Sequence, residues 1–69
     1  MMSLRSGTVT SFDDPRGIGV VTDDGGGEYP FHCTAIADGT RQIEVGAAVR
    51  FIDRPGVQGR WEATEIVPA

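Results

Sequence analysis

The 69-residue chain reads as an all-β domain: five short antiparallel strands closing into a small barrel. Three observations predict this. Apolar and β-branched residues recur at every second place in short runs, the pattern of half-buried strands. Ten glycines and four prolines punctuate those runs where turns need them. No long helix-forming run interrupts them. A tiny all-β chain must also hide its strand edges, and closing the sheet does so.

The elements follow in order. Leu4 to Phe12 forms the first strand, with Val9 facing the core. Asp13-Asp14-Pro15-Arg16-Gly17 turns the chain, the proline pre-setting one backbone angle and the aspartates capping locally. The second strand covers Ile18 to Thr22, and its alternation allows either Val21 or the pair Ile18 and Val20 to face inward. Glycines within Arg16-Gly17-Ile18-Gly19-Val20-Val21 weaken a strand, so they imply tight curvature or a body approaching the backbone closely. Asp23 to Gly27 suits a hairpin tip.

Glu28 to Cys33 forms the third strand, with Tyr29 and Phe31 on one face and Pro30 and His32 on the other. Proline donates no ladder hydrogen bond, which sends this strand to an edge or a bulge. Thr34 to Ala37 makes one helical turn, and Ile43 is buried. In the fourth strand, Ala48 to Asp53, Val49 and Phe51 alternate with Arg50 and Ile52. Arg54 to Gly59 is a second hairpin loop, and Arg60 to Val67 closes the chain as the fifth strand.

Length and composition bound the function. The chain makes one domain over residues 1–69, too small for a deep substrate cleft, so a surface-binding module is expected rather than an enzyme. One cysteine excludes an internal disulfide, no Cys/His cluster has metal-ligand spacing, and no cofactor is expected. Met1 to Arg5 lacks the apolar core of a signal peptide and no apolar run approaches membrane-spanning length, so a cytoplasmic location is expected. A formal net charge of −4 counts against a purely electrostatic grip on phosphates. A few arginines and stacking groups on one face would still make a nucleic-acid site.

Four stretches resemble the cold-shock domain family of five-stranded OB-type barrels. Gly7-Thr8-Val9-Thr10-Ser11-Phe12 is similar to its opening Gly-x-Val-Lys-Trp-Phe. Arg16-Gly17-Ile18-Gly19-Val20-Val21 resembles its first RNA-binding signature, Lys-Gly-Phe-Gly-Phe-Ile. Tyr29-Pro30-Phe31-His32-Cys33 resembles the second, Val-Phe-Val-His-Phe, and Thr34-Ala35-Ile36 follows where the family has Ser-Ala-Ile. Asp38-Gly39-Thr40-Arg41 and Val45 to Phe51 match its later Gly-x-x-Val-x-Phe rhythm. The resemblance covers about Leu4 to Val67.

It implies non-catalytic binding of single-stranded RNA or DNA, with bases stacked on the second and third strands. The departures fall on that surface. Ser11 stands at the family's tryptophan, Ile18 and Val20 at two phenylalanines, Pro30 and Cys33 at two more, and Thr40 at a later aromatic. Base–aromatic stacking contributes about 1–3 kcal/mol per base, so these losses imply weak binding. The residues implied to contact nucleic acid are Phe12, Arg16, Ile18, Val20, Phe31, His32 and Arg41. The alternative is that the same aliphatic face serves a protein partner or a homodimer. Trp61, without counterpart in the family pattern, is expected to close the barrel end or pack under the Arg54–Gly59 loop; the alternatives are a substitute stacking platform or the anchor of a protein interface.

Overall fold

The computed structural model describes residues 4–37, 43–56 and 59–69. Strands β1 (Leu4–Asp13), β2 (Ile18–Asp23), β3 (Glu28–His32), β4 (Ala48–Pro55) and β5 (Trp61–Pro68) appear in that chain order, with a 3-10 turn at Cys33–Ala35 after β3. They form one antiparallel sheet in the order β3-β2-β1-β4-β5. The strands fall where alternation and turn residues place them, β4 running two residues past its expected end at Asp53. β3 lies at a sheet edge, as its proline requires.

Inward-facing residues of every strand make the core: Val9, Val21, Phe31, Val49, Phe51, Ala63 and Ile66, joined by Ile36 from the end of the 3-10 turn. The alternative left open in β2 resolves in favour of Val21, which is fully buried. Ile43 is half-buried against this cluster.

Two bulges shift the alternation. In β1 the register slips between Val9 and Ser11, so that Val9 faces Val21 while Ser11 faces Val20. One extra residue, Thr10, thereby moves Phe12 onto the side that Val9 occupies. In β5 the register slips between Arg50 and Ile52 of its partner, and Glu65 takes a left-handed φ of 52°. That slip lets Ala63 and Ile66, three residues apart, both face inward.

The sheet does not close. β3 and β5 share no ladder; instead Ile36 makes a lone parallel bridge to Ile66, and Ala37 N–H donates to Ile66 O at 2.9 Å. A seam with side-chain grooves therefore separates the two outer strands. The Asp23–Gly27 tip is held by the Asp23 carboxylate, which accepts from the N–H groups of Gly25 (3.0 Å) and Gly27 (2.7 Å). Among the described residues, no helix is long and apolar enough to cross a membrane.

Candidate nucleic-acid interface

The register of β1, β2 and β3 sorts the expected contact residues into two sides. Ser11, Val20 and Pro30 lie side by side across the three strands, and Asp13, Ile18 and His32 form the next outward rung. Between them Phe12, Gly19 and Phe31 form the inward rung. Ile18, Val20, Pro30 and His32 line a shallow groove of about 260 Å³ whose far wall is Glu62 of β5. Ile18 and His32 are exposed and Val20 and Pro30 half-buried.

Two expected contact residues turn inward. Phe31 is only 3% exposed and packs in the core, lining the same groove from within. Phe12 is half-buried, and its ring lies parallel to that of Phe31, 6.0 Å between centroids and 6° between planes. The β1 bulge is the cause, because it turns Phe12 to the Phe31 side. Its outer edge instead lines a separate hollow with Asp14, Ile43 and Glu44.

Arg16 lies in the β1–β2 turn and extends into solvent, with a loose ion pair to Asp13 at 4.0 Å. An exposed pair of this kind contributes little and leaves the guanidinium available. Arg41 lies outside the described residues. The close body that Gly19 accommodates is internal: a β-carbon there would meet the Ser11 carbonyl and the Phe31 ring.

Trp61 does not fill the barrel end. It opens β5 on the far side of the seam, is 45% exposed, and lines a second groove with Val20, Glu28, Pro30 and Arg60. Charges of both signs line the two grooves: Glu62, 4.0 Å from Arg54, in the first, and Glu28 with Arg60 in the second.

The opposite end of β1 carries a different device. Asp53, on the inward side of β4, is 4% exposed. Arg5 Nε donates to its Oδ2 at 2.9 Å, while Arg5 Nη1 reaches Asp23 Oδ2 at 3.5 Å and the guanidinium lies 5.7 Å from the Tyr29 ring centroid. The hydrogen bond and charge of Asp53 hold the Arg5 guanidinium above its ordinary value. Burial raises the Tyr29 phenol, with Arg5 acting in the opposite direction.

No family model matches the chain. Individual relatives do. Cold shock protein CapA of Pseudomonas fragi is 39% identical over 61 residues, covering 86% of this chain and 95% of that protein. Cold shock-like protein CspA of Stigmatella aurantiaca is 43% identical over 58 residues, 81% of this chain and 85% of its own. Cold shock protein ScoF of Streptomyces coelicolor is 40% identical over 68 residues, spanning 96% of this chain and all of the relative.

Proposed function

The chain belongs to the cold shock protein family, and from that premise we propose that it binds single-stranded RNA or DNA, weakly and without catalysis, through the outward face of β2 and β3. The observation that carries this reading is the outward strip of Ile18, Val20, Pro30 and His32, which occupies the strands that carry the family's two signatures. Bases would lie against aliphatic side chains and the imidazole of His32, with phosphates meeting Arg16. Aliphatic contact gives less than the roughly 1–3 kcal/mol per base of an aromatic platform, hence the weak affinity. Little sequence preference follows, because the strip offers few hydrogen-bonding groups to base edges.

Anisotropy of a short labelled single-stranded oligothymidine, titrated with the protein at low and moderate salt, tests the reading. A saturable rise is expected, with a modest salt dependence: about −0.7 in log–log slope per phosphate contacted. Absence of saturation at high-micromolar protein would rule the reading out. Light scattering on the same samples separates it from a homodimer covering the same strip.

A further inference from the structure

We propose that Trp61 and Pro30 form a base-stacking site across the open seam between β3 and β5, so that a nucleobase platform is supplied from β5 where β2 and β3 lack their aromatics. This rests on the nucleic-acid reading above and locates its strongest contact.

Three observations support it. First, Trp61 is the chain's single tryptophan, yet the fold leaves its indole 45% exposed. An indole that serves only the core would be expected to bury more of its large apolar surface. Second, Val20 and Pro30 line both grooves, so the strip of Ile18 and His32 continues without a break to Trp61. The rungs Ile18–His32 and Val20–Pro30 are two residues apart, about 7 Å at 3.4 Å per residue, enough to set two bases side by side. Third, the Trp61 groove holds about 290 Å³, just under the roughly 300–1,000 Å³ of pockets for drug-sized ligands and suited to one planar ring system. Arg60, adjacent in sequence and in the same groove, puts a cation beside the indole. Glu28 and Glu62 line the two grooves and repel phosphates, which leaves the apolar floor to neutral bases.

The placement gives a direct readout, because the emission of a lone tryptophan reports this site alone. Titration with oligothymidine should quench Trp61 emission with the same midpoint as the anisotropy of the labelled oligonucleotide. Trp61→Ala should raise Kd about tenfold, within the range of a lost stacking contact, and Trp61→Phe should recover most of the loss. Folding of both variants is checked by urea titration. If folded W61A binds as the wild type does, or if emission stays constant at saturation, the inference fails while the binding reading stands. If the wild type does not bind, both fall. Should W61A not fold, the wild-type quench and W61F decide between these results. An emission shift that grows with protein concentration in the absence of oligonucleotide would assign Trp61 to contact between copies and overturn the inference.

Discussion

Gly19 and Phe31 fit together across β2 and β3: a β-carbon on the glycine would lie 2.7 Å from Phe31 Cζ and 2.6 Å from the Ser11 carbonyl oxygen. No real contact is that short, so either the ring or the β1 backbone would have to move. Phe12 of β1 stacks on the same Phe31 ring across the intervening β2. Two of the three phenylalanines are thus held over a glycine in the sheet.

Gly19→Ala should therefore cost about 1–3 kcal/mol, the usual effect of overpacking. In a chain this short that lowers Tm by roughly 4–8 °C per kcal/mol. Gly25→Ala, whose β-carbon would meet only Asp23 Oδ1 at an ordinary 3.5 Å, should stay within about 0.5 kcal/mol of wild type. Thermal melts give both values. Phe31→Leu in the Gly19→Ala background should recover part of the loss, a coupling that a double-mutant cycle measures.

Glu65 makes the opposite prediction. Its φ of 52° costs a side-chain-bearing residue about 1–2 kcal/mol. Glu65→Gly should raise the urea midpoint although glycine ordinarily weakens a strand, because the bulge needs the left-handed conformation. A lower midpoint would show that the Glu65 side chain contributes more than the conformation costs.

Tyr29, the only tyrosine, offers a pH test. Its phenol is raised in the folded state, burial being the main cause. The folded chain then holds that proton more tightly than the unfolded chain, whose phenol titrates near the ordinary value of 10.0. The contribution to stability is complete below that value and is lost as pH rises through the folded-state value. Tyrosinate absorbance should show a higher midpoint in buffer than in urea. Equal midpoints would contradict the partial burial of the Tyr29 ring, which packs against Phe51 with 5.2 Å between centroids.

Ile18→Phe should tighten oligonucleotide binding about fivefold or more, the lower end of a gained stacking contact. Ile18 is outward and 38% exposed, so the larger ring needs no space in the core. Paired measurements of Kd and Tm check that affinity rises while stability holds.

Much of the fold was legible because side-chain alternation and turn residues act locally. Val9, Val49 and Phe51 face inward, as counting by twos predicts. Phe12 shows where counting fails: nothing in Thr10-Ser11-Phe12 announces a bulge, and one extra residue reverses the side on which the ring lies. Trp61 was illegible for another reason. Its neighbours Val20 and Pro30 are about 30–40 residues away in the chain, brought near by the barrel's curl. Asp53 is a similar case, since a buried carboxylate on an apolar face is acceptable only with a partner, and Arg5 lies 48 residues earlier.

Pro30 has a second consequence, for solubility. It sits in the middle of β3, an outer strand whose unpaired edge is a template on which another chain can zip. The pyrrolidine ring has no N–H to offer and interrupts that template at its centre. Restoring a phenylalanine there would add a stacking ring and a free donor at once. The same change that strengthens capture of nucleic acid would make the strand adhesive toward its own kind.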